Sequence, residues 1–355
     1  MAIRRIVCTE MKPEIALITP VWNGMPYVVE CVESVLKQSF QNWEMVIGDN
    51  GSTDGTREYL ATLKDPRIRV FFHDMNQGIF GNLNLLFKEA KAEVSQILCA
   101  DDYFFPNGLV ELVETWRRLP EAIGSLRSSF QPMRESACRL NRYFMQLGLK
   151  SVSPRNADLM FFIFGNFPGN LSNVSVKTKL VGELGGFDPT LPFAGDFDFW
   201  LRLTRIAPMS LEGSECIFVR RHTGVASNYL NTKGELSKQT SIVVTSIFEK
   251  LKQQFPKWLL RVHGTLNYDV LARYTGLKKG IRTGNWENIR TIDESSRNAT
   301  YCFAPFVGWL VLFLSGAGHW GRVTVAKQLL HKGQCEDMPN SFDLSDRLAD
   351  AKTGC

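Results

Sequence analysis

Two adjacent carboxylates, Asp101 and Asp102, follow an apolar segment of the chain and precede a run of aromatic residues. Adjacent carboxylates repel one another unless a cation or several hydrogen bonds offset the repulsion. A hard divalent ion, held by one or two carboxylates and by diphosphate oxygens, would offset it. Taken alone, the pair is also typical of a solvated turn or a helix cap, so its meaning depends on the other polar clusters.

A second polar cluster spans residues 48–56. Asp54 followed by Thr56 is typical of a turn that caps the N-terminus of a helix. Asp49 has two interpretations, because its carboxylate either belongs to the same turn or accepts the imide N–H of uracil or thymine. In the second case Trp22, from an earlier loop, would offer an aromatic face to the base.

Two further clusters lie later in the chain. Asp196 and Asp198 are carboxylates that could remove the proton of an attacking hydroxyl in a partly desolvated cleft. They would equally suit the start of a helix, where acids complement the helix dipole. His222, flanked by two arginines, is a candidate metal ligand or diphosphate contact, with a basic surface turn as the alternative.

Apolar strand patterns alternate with helical patterns over the first 120 residues. Strands are predicted at residues 15–19, 43–47, 68–72 and 94–99, and helices at residues 27–36, 54–63, 81–90 and 106–119. This alternation predicts an α/β fold with a mainly parallel sheet flanked by helices. Later, strands are predicted at 171–177 and 216–219, loops and short helices at 127–160, and helices at 242–251, 258–274 and 286–292.

The polar clusters come at the carboxyl ends of the predicted strands. Trp22 and Asn23 follow the first strand, Asp49 and Asn50 follow the second, and the acidic pair follows the fourth. Ligands of open parallel sheets bind at this edge. We therefore expect these side chains to line one ligand site.

In their order along the chain, these clusters resemble the family 2 glycosyltransferases of the GT-A fold, over residues 13–227. The matching elements are Thr19-Pro20-Val21-Trp22-Asn23, residues 49–56, Asn76-Gln77-Gly78 through Asn82, residues 99–102, residues 185–188, residues 195–198, and Arg220 with His222. The resemblance implies a Rossmann-like sheet and inverting transfer of a hexosyl or N-acetylhexosaminyl group. The donor would be a nucleotide-diphosphate sugar, with UDP-sugar favoured, and the acceptor a hydroxyl of a glycan or lipid-linked glycan.

The resemblance also implies roles for individual residues. Asp196 would be the catalytic base and Asp101 the ligand of Mn²⁺ or Mg²⁺, with Asp102 beside it and His222 at the metal or diphosphate. The residues that would line the nucleotide pocket are Pro20, Trp22, Asn23, Asp49 and Asn50. The chain departs from the family pattern at Cys99, where an Asp is common, at Asn50, also a frequent Asp, and at Gly195, where Glu is frequent. Asp198 is the alternative base.

Two other functions stay open at this stage. A sugar-1-phosphate nucleotidyltransferase would ordinarily have a Gly-rich, basic phosphate loop near its N-terminus, and residues 20–23 contain none. A non-catalytic nucleotide-sugar-binding module would not need the acids at 101, 102 and 196.

Length and composition predict the domain organisation and the compartment. A chain of 355 residues suits a catalytic domain at 1–230, with a nucleotide-binding half at 13–120 and an acceptor half at 121–230, and a helical region at 231–355. The net charge of +5 is too mild to indicate nucleic-acid binding, so we expect no nucleic-acid partner. Scattered cysteines and the lack of an apolar leader in the first 14 residues favour reduced thiols and a cytoplasmic location.

The C-terminal region has a basic part and an apolar part. Residues 250–290 contain nine Lys and Arg against two acids, and residues 298–320 contain no charged side chain. The apolar segment has three interpretations: a buried helix, a helix at the membrane interface, or a membrane span. The basic residues favour peripheral contact with an anionic membrane, at its inner face for a cytoplasmic protein.

Overall fold

A single sheet organises the first two thirds of the protein. The structure, a computed structural model, describes residues 12–131, 140–141, 144–145, 148–220, 234–315 and 319–332. The strands in this part are β1 (Ile15–Val21), β2 (Trp43–Asp49), β3 (Ile68–Phe72), β4 (Val94–Ile97), β5 (Tyr103–Phe104), β6 (Ser125–Gln131), β7 (Ser151–Val152), β8 (Val174–Lys177) and β9 (Met209–Phe218). Their order is β3-β2-β1-β4-β8-β6-β9-β5, and β7 pairs with β9.

Helices flank this sheet and continue beyond it. They are α1 (Tyr27–Leu36), α2 (Thr56–Ala61), α3 (Gly78–Glu89), α4 (Gly108–Arg118), α5 (Ala157–Phe164), α6 (Thr178–Glu183), α7 (Gly195–Ile206), α8 (Glu235–Leu251), α9 (Lys257–Gly264), α10 (Val270–Thr283), α11 (Glu287–Asn298), α12 (Pro305–Ser315) and α13 (His319–Lys332). Short 3-10 turns occur at Pro154–Asn156 and Leu171–Asn173, and a π-helical turn, Thr265–Asp269, joins α9 to α10.

The nucleotide-binding half has the predicted parallel sheet. β1 pairs in parallel with both β2 and β4, and β2 pairs in parallel with β3. All seven residues of β1 are buried, because Ile15 and Leu17 face a core with α1 and α4 while Ala16 and Ile18 face a core with α3, α5 and α7. A strand covered on both faces reads as a continuous apolar run. The four strands predicted here are confirmed, with small shifts at their ends.

Beyond β4 the sheet is mixed. β8 is antiparallel to β4 and β6, while β9 is parallel to β6 and antiparallel to β5 and β7. The prediction of loops and short helices over 127–160 was wrong at β6. The strand predicted at 216–219 covers only the last part of β9. The reason is that Ser125, Arg127 and Ser128 are buried polar residues, which break the apolar pattern of a strand. Similarly, the strand predicted from 171 begins at Val174, after a 3-10 turn.

The C-terminal helices pack onto the acceptor half through a shared core. Val244 and Ile247 of α8, Leu260 of α9 and Leu329 of α13 belong to the same apolar cluster as Phe161 of α5. The helix predicted at 258–274 is interrupted by the π-helical turn. α10 ends where Gly284 adopts φ 70°, a left-handed conformation that suits glycine.

A buried ion group holds the C-terminal helices together. The side chains of Arg273 and Asp269 are fully buried and lie 3.0 Å apart, and Arg273 also pairs with Asp293 of α11. The Arg273 guanidinium lies 5.0 Å from the ring centroid of Trp309 in α12. Arg273 is one of the nine basic residues of 250–290 that favoured contact with a membrane. For Arg273 this prediction was wrong, because its charge is buried between two acids.

The apolar C-terminal segment forms α12, which is only 11 residues long. Leu312 is buried, whereas Phe306, Leu310 and Phe313 are exposed. Within the described ranges, no helix combines the length and the apolar character needed to cross a bilayer.

Candidate active site

The loops that follow β1 and β2 are bonded into one edge. Asn23 adopts φ 50°, in the left-handed region that Asn tolerates better than most residues. Its backbone N–H donates to the Ser52 hydroxyl over 2.8 Å, and its Oδ1 accepts from the Thr53 N–H over 2.9 Å. Pro20 is buried in β1, while the neighbouring Trp22 is 56% exposed. This edge therefore presents an aromatic face to solvent at the end of the parallel strands.

Asp49 is buried at the end of β2 and already has partners. Its carboxylate accepts the Ser52 N–H over 3.3 Å and lies 3.3 Å from an Arg57 nitrogen. Arg57 is one-third exposed and donates to the His73 carbonyl. These contacts fix the orientation of Asp49, and the predicted contact with a nucleotide base stays a prediction.

Asn50 fastens the loop that leads into α3. Its Nδ2 donates to Asn76 Oδ1 over 2.8 Å and to the Gly78 carbonyl over 3.2 Å, and its Oδ1 accepts from the Gln77 N–H over 2.9 Å. Since both donor hydrogens of the amide are used, the side chain positions this loop. Its predicted place in the nucleotide pocket stays a prediction.

Asp54 was interpreted as the N-cap of α2, and that assignment was wrong by one residue. Gly55 occupies the cap position, with φ 94°. The Asp54 carboxylate instead accepts the Thr56 N–H and hydroxyl over 3.1 and 2.6 Å, and the Met25 N–H over 3.0 Å. Asp54 thus links the loop after β2 to the loop after β1.

The acidic pair forms a compact cluster with Cys99. One ligand atom from each of Cys99, Asp101 and Asp102 lies within 4.8 Å of the others. Asp102 is only 2% exposed, and its Oδ2 has no hydrogen-bond partner among the described residues. Burial and the neighbouring Asp101 raise the pKa of Asp102 above its usual range, and nearby donors, the Ser172 hydroxyl and the Arg220 N–H, offset part of the rise. A buried carboxylate with one oxygen lacking a hydrogen bond, next to a second carboxylate, would be stabilised by a divalent cation.

Arg220 connects this cluster to the end of β9. Its backbone N–H donates to Asp102 Oδ1 over 2.9 Å, and its side chain donates to the Asp101 carbonyl over 3.0 Å and pairs with Glu30. The guanidinium also lies over the ring of Tyr27, 4.8 Å from its centroid. The predicted ligand His222, two residues further along the chain, lies outside the described residues, so its role stays a prediction.

Asp196 lies in the first turn of α7 and is partly buried. Its Oδ2 accepts from Asn166 Nδ2 over 2.8 Å, and its Oδ1 accepts from the Phe197 N–H over 2.7 Å. Burial raises the pKa of Asp196 to about 6, although both hydrogen bonds lower it. A carboxylate with such a pKa is ionised near neutral pH and is a better proton acceptor than an exposed one.

The alternative base, Asp198, is engaged elsewhere. Its carboxylate lies 2.7 Å from Arg202, which also donates to the carbonyls of Leu184 and Gly186. Asp198 therefore helps to hold the turn that precedes α7. Among the described residues, Asp196 has no comparable ion pair, and this contrast favours Asp196 as the base.

One chain segment, residues 165–173, contacts both the acidic cluster and Asp196. Asn166 binds Asp196, and the Ser172 hydroxyl accepts the Cys99 N–H over 3.0 Å. The buried Arg127 donates to the Phe167 carbonyl over 3.0 Å, and burial lowers the Arg127 pKa to about 10. Sequence reasoning identified none of these three side chains, because only their long-range contacts distinguish them from other polar residues.

Part of the chain matches a known protein family. Residues 16–170 match the family model described as glycosyl transferase family 2. Over these residues the chain is similar to family 2 glycosyltransferases. An uncharacterized glycosyltransferase of Rickettsia felis is 27% identical over 243 residues, which cover 68% of this chain and 39% of that relative. This chain therefore spans well under half of the relative's length.

Solved structures confirm the predicted GT-A fold. The protein is similar to S. aureus TarS residues 1–349 in complex with UDP-GlcNAc, with a TM-score of 0.59 and 16% identity, over 94% of this chain and 95% of that chain. It is also similar to the mannosyltransferase PcManGT of Pyrobaculum calidifontis in complex with GDP-Man and Mn²⁺. That comparison has a TM-score of 0.51 and 16% identity, over 92% of this chain and 88% of that chain.

The structure explains one departure from the family 2 glycosyltransferase pattern. Gly195 stands where Glu often precedes the predicted base, and a Cβ atom there would lie 2.6 Å from the Phe80 ring. Phe80 stacks on Phe187, which in turn packs against Phe199. Because this aromatic group fills the space, position 195 accepts glycine, and Asp196 is left as the acid at the start of α7.

Proposed function

We propose that this protein is a family 2 glycosyltransferase that moves a sugar from a nucleotide-diphosphate sugar to a hydroxyl acceptor, with inversion at the anomeric carbon. The observation that carries the proposal is the setting of Asp196. Its carboxylate is partly buried, has a pKa of about 6 and is oriented by Asn166. Asp196 would accept the proton of the acceptor hydroxyl while its oxygen attacks C1 and the nucleoside diphosphate leaves.

The acidic cluster would bind the cation that stabilises the charge of the departing diphosphate. Asp101 and Asp102 would hold Mn²⁺ or Mg²⁺, with His222 as the further predicted ligand. A bound divalent cation supplies charge stabilisation at the diphosphate oxygens. The protein's own contribution is to fix the Asp102 carboxylate through the Arg220 N–H, and the backbone of Asp101 through the Arg220 side chain, which binds the Asp101 carbonyl. The Mn²⁺ in the PcManGT complex supports a metal-dependent reaction here.

The donor would bind at the joined loops after β1 and β2. Trp22 offers an exposed face for the base, and Pro20, Asn23, Asp49 and Asn50 would complete the nucleotide pocket beside it. The UDP-GlcNAc bound to TarS supports a UDP-sugar donor and transfer of a hexosyl or N-acetylhexosaminyl group.

A donor screen tests this proposal. The full chain is incubated with Mn²⁺ and a panel of UDP-, GDP- and dTDP-sugars without an acceptor, and release of the nucleoside diphosphate is measured. We expect slow hydrolysis of one donor, and a rise in melting temperature with UDP and Mn²⁺ that EDTA abolishes. Pyrophosphate-dependent release of UTP from a UDP-sugar would instead indicate a nucleotidyltransferase. Binding without any turnover would indicate a non-catalytic module.

We also propose that α12 contacts an anionic membrane, where a lipid-linked glycan acceptor would lie. Phe306, Leu310 and Phe313 recur at helical spacing on its exposed side, with exposed fractions of 70%, 53% and 75%. Exposed basic side chains on the preceding helices supply complementary charge; they are Lys257, Arg261, Lys278, Arg282 and Arg290. A helix with an apolar face and basic neighbours binds anionic interfaces.

Vesicle flotation tests the membrane proposal. The full chain should float with phosphatidylserine-containing vesicles, and changing all three apolar residues of α12 to Ser should abolish this. Ile206→Ser is the control, because Ile206 is a half-exposed apolar residue of α7. Equal flotation of the triple variant and the wild type would contradict the proposal.

A further inference from the structure

The thiol of Cys99 lies beside the two carboxylates of the acidic pair. Its Sγ and one oxygen from each of Asp101 and Asp102 are within 4.8 Å of one another. Metal–sulfur bonds of about 2.3 Å and metal–oxygen bonds of about 2.1 Å put ligand atoms up to roughly 4.4 Å apart across a single ion. Small side-chain rotations would therefore bring all three atoms onto one cation.

Two further observations point to a ligand at this place. Asp102 Oδ2 is buried and has no hydrogen-bond partner in the described part of the chain. The Cys99 backbone is held on both sides, since its N–H donates to Ser172 over 3.0 Å and its carbonyl accepts the Asp102 N–H over 3.0 Å. Cys99 is also a free, partly buried thiol. A thiol on a fixed backbone, next to a buried carboxylate oxygen that lacks a partner, is suited to act as a preformed ligand.

We propose that Cys99 supplies a thiolate ligand to the divalent metal centre of this transferase and makes the centre prefer the soft ion Cd²⁺ and the borderline ions Co²⁺ and Zn²⁺ over Mg²⁺ and Mn²⁺. The inference rests on the proposed metal-dependent function. When the metal–sulfur bond forms, the S–H bond breaks and the proton passes to water. Carboxylate-only sites suit Mg²⁺ and Mn²⁺, whereas a thiolate selects softer ions.

A neighbouring thiol provides a matched control. Cys31 is fully buried in α1, and its Sγ donates to the Cys99 carbonyl over 3.7 Å. It therefore lies close to the cluster, yet it is not among the grouped ligand atoms. Cys31→Ser and Cys99→Ser make the same chemical change at adjacent sites.

The test uses the full chain with the metal alone, without nucleotide, so that its outcome is independent of transferase activity. Cd²⁺ and Co²⁺ are titrated and the thiolate-to-metal charge-transfer absorption is recorded. We expect this absorption in the wild type and in Cys31→Ser, and its loss in Cys99→Ser. Cys99→Ser should weaken Cd²⁺ binding by at least the roughly 10- to 100-fold that loss of an outer-shell partner costs a metal site.

A second variant, Cys99→Asp, tests the same thiolate ligand if Cys99→Ser folds poorly. Cys99→Asp should lose the charge-transfer absorption, keep Mn²⁺ binding by electron paramagnetic resonance, and shift the metal preference from Cd²⁺ to Mn²⁺. In the wild type, Cd²⁺ should protect Cys99 from alkylation, as measured by mass spectrometry. Stoichiometric Cd²⁺ binding without the absorption, or an absorption that survives in Cys99→Ser, would overturn the inference even if the donor screen succeeds.

Discussion

Asn166 donates a hydrogen bond from Nδ2 to Oδ2 of Asp196 over 2.8 Å, across 30 residues of sequence. The bond favours the ionised carboxylate, whereas burial favours the protonated one, and the pKa of about 6 results from this opposition. Asn166 reaches this position from the loop after α5, whose last carbonyls are held from the C-terminal region. Tyr268 donates to the Phe161 and Phe162 carbonyls, and Asn267 donates to that of Ile163. The helical extension therefore helps to orient the proposed base.

The pH dependence of turnover tests this relationship. Because the base must be ionised, kcat/KM should fall as the pH drops through about 6. Asn166→Ala removes a bond to the charged form, so the pKa of Asp196 rises and the acid limb moves to higher pH, by about one unit. Asn285→Ala is the control, because Asn285 is exposed and accepts the Glu287 N–H at the start of α11. An unmoved acid limb in Asn166→Ala would show that Asn166 does not act through Asp196.

Trp22 tests the proposed donor pocket. Stacking of a base on an aromatic side chain contributes about 1–3 kcal/mol, so Trp22→Ala should weaken UDP binding in the presence of Mn²⁺ by that amount. Isothermal titration calorimetry measures the change. Trp258→Ala is the control, since Trp258 is similarly exposed but lies in α9. Unchanged affinity in Trp22→Ala would place the base elsewhere.

The buried ion group predicts a large effect on stability. Arg273→Met leaves Asp269 buried without its partner, and the free energy of unfolding should fall by about 3–5 kcal/mol. Arg282→Met, on an exposed turn of the same helix, should change it by no more than about 0.5 kcal/mol. Urea unfolding followed by circular dichroism compares the two. Equal stability of both variants would mean that the ion group contributes nothing.

The sequence predicted the parallel strands well, because strands covered on both faces are continuous apolar runs that end in polar loops. It also placed Asp101, Asp102 and Asp196 at element ends, where the structure has them. It failed at β6, since Ser125 and Ser128 are buried polar residues of a central strand. Such residues are stabilised by neighbours that are distant in sequence, and local pattern does not report them.

Local sequence pattern also missed contacts in the candidate active site that join distant parts of the chain. The motifs identified Asp49 and Asn50 as a polar cluster, but not that Arg57 and the loop at 76–78 orient them. Asn166 and Ser172 carry no local signal, because their importance comes only from the approach of one loop to two other segments. Conversely, Gly195 looked like a departure from the family, and only the Phe80 ring explains it.

The base assignment is tested most directly by Asp196→Asn, compared with Asp198→Asn. The amide keeps the shape of the carboxylate but cannot accept the hydroxyl proton. Donor binding by Asp196→Asn, measured by calorimetry with Mn²⁺, should equal that of the wild type, while kcat should fall by about 10²–10⁴-fold. Asp198→Asn should lose stability through its bond to Arg202 but keep most of its turnover once folded. Near-normal kcat in Asp196→Asn would contradict the account, and Asp196 would not be the base.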